Sequence, residues 1–400
     1  MRRLALLPRV ALGGCLPLAL AGCTTAPTPG PSEPAPSATA ETPSAPPSAE
    51  PTPTDSPSPI PDTHELDVTA HETFDEPWAM AFLPGTDELV ITGRQGDIWL
   101  RGPDGVRQVD GAPEVVAAGQ GGLGDIIPGP TFEADGRVYL SWVEGDGGTS
   151  GAVVGTGTLD VRDATLTGLD VIWEQTPKVS GNGHFSHRLA IRDDHLFVSS
   201  GDRQKMEPAQ ELDGNLGKIL RLTLDGQPAA GNPFQGEGVA RQFWSIGHRN
   251  VLGLAFDADG RLWASEMGPE GGDELNLITP GANYGWPEAS NGSHYGGGEI
   301  PDHEPGDGFE APKVWWNPSV SPGSLMIYHG DLFPAWTGDA FLGALSGEAL
   351  IRVDLDGEDA ELAEDWPMDA RIRAVAEAPD GAIWLLEDGD GARLLELRPA

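Results

Sequence analysis

Five short stretches of the 400-residue chain carry residue types able to do chemistry. The first is Gly181-Asn-Gly-His-Phe-Ser-His-Arg188. Small residues flank His184, which leaves a reachable imidazole whose ordinary pKa suits proton transfer near neutrality. Two other readings stay open here: a plain polar surface loop, or His184, His187 and His248 as three zinc ligands, for which no flanking Cys or acid completes a usual spacing. The second stretch, Gly247-His-Arg-Asn250, sets a bidentate cation beside an amide, a pair suited to a carboxylate-bearing or quinoid ligand. A salt bridge from Arg249 to one of the 62 acids is the competing reading. The third, Glu266-Met-Gly-Pro-Glu-Gly-Gly-Asp-Glu-Leu-Asn276 followed by Asn283-Tyr-Gly-Trp-Pro287, offers hard oxygen ligands in a glycine-rich loop. It suits calcium better than zinc but does not fit an EF-hand, and a solvated acidic turn is the plainer alternative. The fourth is Arg371-Ile-Arg373, where strand alternation turns both guanidinia to one face, as an anionic ligand would need. The fifth is Gly119-Gln-Gly-Gly-Leu-Gly124, a turn around Gln120 that lacks the pattern of a phosphate or dinucleotide loop.

Loops of this kind need a scaffold, and the chain repeats one. An apolar segment leads into an Asp-Gly-type turn and then into a run of β-formers. The segments begin at Phe82, Phe132, Ile191, Phe256 and Ala378, with a weaker sixth copy from Leu332 to Leu345. Asp-Gly between alternating apolar residues signals a hairpin. Six copies across the globular part leave about 56 residues per unit, the size of a four-stranded propeller blade with its loops. The expected fold is all-β, a six-bladed β-propeller of four-stranded antiparallel blades, with one or two β-sandwiches as the alternative. No helix longer than two turns is expected. In a propeller, functional residues gather on loops at one face of the central channel.

Composition agrees and excludes other classes. The net charge is -38, so phosphate backbones repel the chain and nucleic acid is not an expected partner. Glycine, at 55 residues, is about twice its usual share, which favours tight turns over a helical bundle. The glycines have no period of three, which excludes collagen.

The ends are uneven. Arg2, Arg3 and Arg9 precede an apolar run that ends in Leu20-Ala21-Gly22-Cys23. Residues 1–22 read as a secretory signal, and the junction resembles a bacterial lipobox that lipidates Cys23. With Cys15 inside the signal, the mature domain has no free thiol and no disulfide. Residues 23–62 read as a tether, with 13 Pro among Ser, Thr and Ala, a composition that cannot bury a core. The globular domain is expected over residues 63–400. The protein is then secreted and lipid-anchored at the outer face of the bacterial cell membrane, with no other membrane contact.

In this order, the segments resemble the pyrroloquinoline quinone (PQQ)-dependent soluble aldose/glucose dehydrogenases, the glucose/sorbosone dehydrogenase family. The resemblance runs from Glu76-Pro-Trp-Ala-Met-Ala-Phe82 to the last repeat. It rests most on Gly247-His-Arg-Asn250, Gly272-Asp-Glu-Leu-Asn276 with Asn283-Tyr-Gly-Trp-Pro287, and Arg371-Ile-Arg373. It implies a six-bladed propeller with PQQ and calcium as cofactors, oxidising aldoses at C1 to lactones. By position it implies that His184 is the catalytic base and that Arg249 stabilises charge on the quinone oxygen. It implies that Gln120, Arg249, Asn250, Arg371 and Arg373 line the PQQ pocket. Gly268, Pro269, Asp273, Glu274 and Tyr284 fall in a calcium loop, and a further calcium is held against the quinone largely by carbonyls near Gly268 and Pro269. The partners are a small sugar and an external electron acceptor that the sequence does not identify.

Three departures from the family pattern carry expectations. Ser346 stands where a Lys usually pairs with a PQQ carboxylate, which predicts weaker cofactor binding. Val251-Leu252 replaces the usual Pro-Gln. His187 replaces a usual Gly and is expected to narrow the substrate entrance or perturb the base. The competing functions are a non-catalytic sugar- or ligand-binding surface propeller with a decayed cofactor site, and a calcium-dependent lactonase.

Overall fold

The computed structural model describes residues 65–400. The expected signal, the lipidated Cys23 and the tether lie outside them. The described residues form six four-stranded antiparallel sheets, the blades of a six-bladed β-propeller. Blades 1 to 5 span 77–108, 123–174, 186–246, 251–316 and 322–367. Blade 6 takes three strands from 372–399 and its outermost strand, Leu66–Phe74, from the other end of the chain. That strand pairs with Ala392–Pro399 and closes the ring with backbone hydrogen bonds between the two ends of the described chain.

Each of the six sequence repeats is the turn between the innermost and second strands of one blade. In blade 3 the turn residues Asp193 and Asp194 both adopt left-handed φ, 49° and 58°, as a tight hairpin turn requires. In blade 2, Phe132–Asp135 winds into a single helical turn before the second strand begins. The other helical pieces are short 3-10 turns, the longest being Gly238–Gln242.

The core is divided by interface. Six apolar clusters each join neighbouring blades; one packs Leu83, Val90 and Leu100 of blade 1 on Leu123, Val138 and Leu140 of blade 2. The ring closes with Met80 and Ile91 of blade 1 against Trp384 and Leu386 of blade 6. Both faces of each sheet are therefore buried, which explains strands such as Leu89–Gly93 and Ile383–Glu387 that are apolar without alternation.

One irregularity recurs in every blade. The pairing of the innermost strand slips near its start: between Pro77 and Ala79, Leu123 and Ile126, Ser186 and Leu189, Val251 and Gly253, Pro322 and Ser324, and Ile372 and Ala374. A bulge re-aims side chains and ends pairing. Here six bulges ring the channel at one level, and their residues build its floor. Arg188, from the blade 3 bulge, donates to Asp125 of blade 2 at 3.2 Å. It also donates to the carbonyls of Leu252 of blade 4 and Gly323 of blade 5, at 2.8 and 2.9 Å. Its guanidinium lies 4.1 Å from the ring of Trp78 in blade 1. A buried charge needs such partners to be tolerated, and this one ties five blades together.

Candidate active site

Above that floor opens a cavity of about 440 Å³. Gln120, Asn250, Arg371 and Arg373, expected at a cofactor pocket, all face it. Four residues the sequence reading missed face it too: Glu76, Arg94, Tyr295 and Asp388. His184 and Arg249 are not among its lining residues; both are largely buried, each next in sequence to a residue that does line it, Phe185 and Asn250.

His184 sits on the loop between blades 2 and 3, with its φ at 49°. Ser186 and His187 are also left-handed, at 58° and 49°. Strain of this kind persists only where the surroundings over-determine it. Arg203 supplies part of that constraint: its guanidinium donates to the carbonyls of Gly181, Gly183 and Ser150 and lies 3.7 Å from the Phe185 ring. Gly201 supplies another part, because a Cβ there would meet the His184 carbonyl at 2.0 Å. Gln120 accepts the His184 backbone N–H at 2.6 Å through its side-chain oxygen.

The imidazole has one partner. Nδ1 of His184 donates to Oδ1 of Asp202 at 2.7 Å. Asp202 is fully buried and also accepts from Gln204 N, Met206 N and Trp286 Nε1. Burial pushes the Asp202 carboxyl up, but the hydrogen bonds from His184, Gln204 and Trp286 outweigh it and hold the group below its usual range. An ionised Asp202 fixes the tautomer with the proton on Nδ1. Nε2 makes no hydrogen bond among the described residues and keeps its lone pair. Burial lowers the His184 pKa; Asp202 pulls it back up, and Arg249 and Arg203 lower it further. The result is a neutral imidazole with one free basic nitrogen.

Arg249 stands just before the first strand of blade 4. Its Nη1 donates to the Met267 carbonyl at 2.9 Å. Its guanidinium lies 5.2 Å from the Trp286 ring and 5.7 Å from that of Tyr295. No carboxylate pairs with its side chain among the described residues, and its Nε is buried without a partner. The salt bridge that the sequence left open is therefore not formed. Trp286 touches Arg249 with its ring and Asp202 with its Nε1, and so links the guanidinium to the His184–Asp202 pair.

Across the cavity, Arg371 and Arg373 grip one carboxylate: Arg371 Nε reaches Asp388 Oδ2 at 2.8 Å, and Arg373 Nη2 reaches Oδ1 at 2.7 Å. Burial opposes ionisation of Asp388, but the two arginines hold it below the usual carboxylate range. Arg94 pairs with Glu76 and donates to the Gly119 carbonyl at 2.7 Å, beside Gln120. The cavity thus faces three guanidinia against two carboxylates. Ser346, where a cation was expected to be missed, turns its hydroxyl to the Ser319 carbonyl and to Ser321 Oγ instead.

A second, tight cleft of about 10 Å³, room for one water-sized occupant, lies behind Arg249. Gly268, Pro269, Glu274 and Tyr284 line it together with Glu266. Burial, then the like charge of Glu266, raises the Glu274 carboxyl well above its ordinary value. Glu266 is held by His248 Nδ1 at 2.8 Å and by Arg249 N at 2.7 Å. A pair of buried carboxylates facing an ion-sized space is a donor set for a hard cation.

Two expectations change. Asp273 does not line this cleft; its oxygens accept from Gly268 N, Ser319 Oγ, Val320 N and Ser321 N, so it clamps loops rather than presenting a free ligand. The Tyr284 hydroxyl is likewise occupied, donating to the Leu277 carbonyl and accepting from Thr279 N. His187 does line the cavity: the blade 3 bulge turns it onto the channel wall, stacked 5.0 Å from Trp78 and bonded to Ser141 Oγ at 2.9 Å. The zinc reading also falls. His184, His187 and His248 have separate partners, and no three His, Cys, Asp or Glu side chains gather at a metal-sized point among the described residues.

Residues 74–396 match the family described as glucose/sorbosone dehydrogenase. The chain is 37% identical over 341 residues to the aldose sugar dehydrogenase YliI of Escherichia coli K12, covering 82% of this chain and 91% of that one. The crystal structure of the soluble aldose sugar dehydrogenase of Escherichia coli in its apo form superposes with a TM-score of 0.81 at 35% identity, over 84% of this chain and all of that one. The PQQ-bound aldose sugar dehydrogenase of Streptomyces coelicolor superposes at 0.70 with 31% identity, over 84% of this chain and 99% of that one.

Proposed function

We propose, from the premise that the chain belongs to the glucose/sorbosone dehydrogenase family, that it oxidises aldose sugars at C1 to lactones with PQQ as hydride acceptor and His184 as base. The observation that carries the reading is the neutral imidazole of His184, oriented by Asp202 and beside a guanidinium that has no carboxylate partner and whose Nε is unmet.

The residues in and beside the cavity fit PQQ. The orphaned Nε of Arg249 is a buried donor aimed at no protein acceptor, and an unmet donor of this kind costs stability unless a ligand meets it. Arg94, Arg371 and Arg373 suit a flat tricarboxylate. Bound PQQ supplies an electrophilic quinone carbon that takes the hydride. The rest falls to this chain. Nε2 of His184 accepts the proton of the sugar C1 hydroxyl as the C1 hydride departs. Asp202 stabilises the imidazolium so formed. Arg249 provides the fixed positive field for charge developing at the acceptor oxygen. Gln120 and Asn250 hold the wall in register through His184 N and Ser186 Oγ.

Calcium fits the small cleft through Glu274, Glu266 and backbone carbonyls of the Gly268–Pro269 turn, where it would brace the loop that bears Arg249. The signal at residues 1–22 and lipidation at Cys23 would hold the propeller at the outer face of the membrane; loss of membrane association in Cys23→Ala tests that.

The function is tested by dye-coupled oxidation of an aldose panel by the purified protein, with and without PQQ and calcium. Turnover that requires PQQ and yields the lactone supports the reading. PQQ binding without turnover on any aldose supports a binding propeller in its place.

A further inference from the structure

Six large hydrophobic side chains stand exposed among the described residues, and Tyr295 is the most exposed, at 70%. It is the only one of the six that faces the cavity. Isolated exposed aromatic rings are ordinary on protein surfaces, so exposure alone decides nothing. The way this ring is presented does.

Tyr295 rides on a small hairpin between Ser293 and Glu299, which are bridged to each other at its base. The base is pinned to the acidic loop of blade 4 through Glu270–Ser293 and Gly271–Gly292 pairing. His294 N donates to the Gly298 carbonyl at 2.9 Å. Gly296, Gly297 and Gly298 follow at φ 85°, 93° and 132°, a run that side-chain-bearing residues adopt only with strain. The backbone is thus committed to projecting one ring. Arg249 lies 5.7 Å from that ring, with Nη2 3.5 Å from the hydroxyl, so one edge is anchored beside the reacting centre while the rest is open.

An open aromatic face beside a cavity of about 440 Å³ matches one feature of a sugar. A pyranose with equatorial hydroxyls carries a flat patch of C–H groups on each face that can pack on a π-face, whereas an axial hydroxyl blocks the face from which it projects. We propose that Tyr295 is the residue on which the sugar ring stacks, and that it selects aldopyranoses with equatorial hydroxyls over those with axial ones. The proposal rests on the dehydrogenase reading for its substrate class and adds where the sugar lies.

The test compares the PQQ- and calcium-loaded wild type with Tyr295→Ala and Tyr295→Phe on glucose and galactose, which differ at one axial hydroxyl, and measures the Kd for PQQ separately by fluorescence. In Tyr295→Ala the glucose KM is expected to rise about tenfold, with kcat moving less, and the galactose-to-glucose KM ratio to fall towards one. Tyr295→Phe keeps the π-face and should keep both the KM and the ratio. The PQQ Kd should change by less than about twofold. Unchanged sugar KM values overturn the proposal, as does a tenfold loss of PQQ affinity with sugar KM intact, which would make the ring a cofactor cover. Should the wild type oxidise no aldose, the dehydrogenase reading fails and calorimetric titration with glucose decides the proposal. Sugar binding that Tyr295→Ala removes upholds it; no binding to the wild type overturns it.

Discussion

Nδ1 of His184, on the loop between blades 2 and 3, donates at 2.7 Å to Oδ1 of a fully buried Asp202 on a loop within blade 3, and leaves Nε2 as a free basic nitrogen. A carboxylate so placed sets the tautomer and supports the cation formed on proton transfer. Asp202→Asn keeps the shape but can donate to Nδ1, which takes the lone pair from Nε2. Steady-state kinetics are expected to show kcat reduced by about 10²–10⁴-fold, the usual worth of a positioned base, with PQQ affinity little changed.

The pH profile follows from the lowered His184 pKa. The active form is the neutral imidazole, so activity is lost on protonation, as pH falls. Burial and the neighbouring arginines put that loss below the ordinary histidine pKa of 6.5. The acid limb of kcat/KM is therefore expected below pH 6.5. A limb above that value would contradict a buried base.

Arg371 and Arg373 divide one carboxylate, that of Asp388, and both face the cavity. A charge-assisted hydrogen bond is worth about 1.5–3 kcal/mol. Arg373→Ala should weaken PQQ binding by about 10–100-fold, read by fluorescence titration. Ser346→Lys adds a cation near Ser321 at the rim and should tighten PQQ binding.

Calcium should act on stability through the cleft beside Arg249. A ligand that binds only the folded state raises the melting temperature as its concentration rises. Thermal unfolding of the wild type should shift upward with calcium, and Glu274→Gln should abolish most of that shift.

His187 links stability to pH. It is buried on the channel wall, and its pKa is lowered to about 3, first by burial and then by Arg188 and Arg203. Between that value and 6.5 the unfolded chain binds a proton that the folded chain does not, so stability falls as pH falls through this window and is fully present above it. One such proton gives a slope of about 1.4 kcal/mol per pH unit. His187→Phe, which can keep the stack on Trp78, should flatten the pH dependence of denaturant unfolding by about that slope.

The fold was legible because each blade announces its inner hairpin with a local turn signal, from Phe82 to Ala378. Gln120, Asn250, Arg371 and Arg373 were legible because unusual polar residues broke the hairpin pattern, and the structure brings them to one cavity. Asp202 was not, because it follows the strand His195–Ser200 as one acid among 62 and meets His184 only in space. Its sequence signal was slight: a polar Gly201-Asp202-Arg203 at the end of an apolar strand. The direction of His187 was hidden for another reason. A bulge changes which face a residue takes, and simple alternation cannot locate it. Asp273 was misjudged because an acid in a glycine-rich loop clamps N–H groups as readily as it binds cations.

The most direct measurement is single-turnover oxidation of glucose by PQQ-loaded wild-type protein and His184→Ala, with PQQ affinity measured for both. The variant is expected to bind PQQ within about threefold of the wild type and to be slower in the hydride-transfer step by at least about 10²-fold, as loss of the base requires. Equal rates in the two proteins would show that the proton leaves by another route and would contradict the role given to His184 and Asp202.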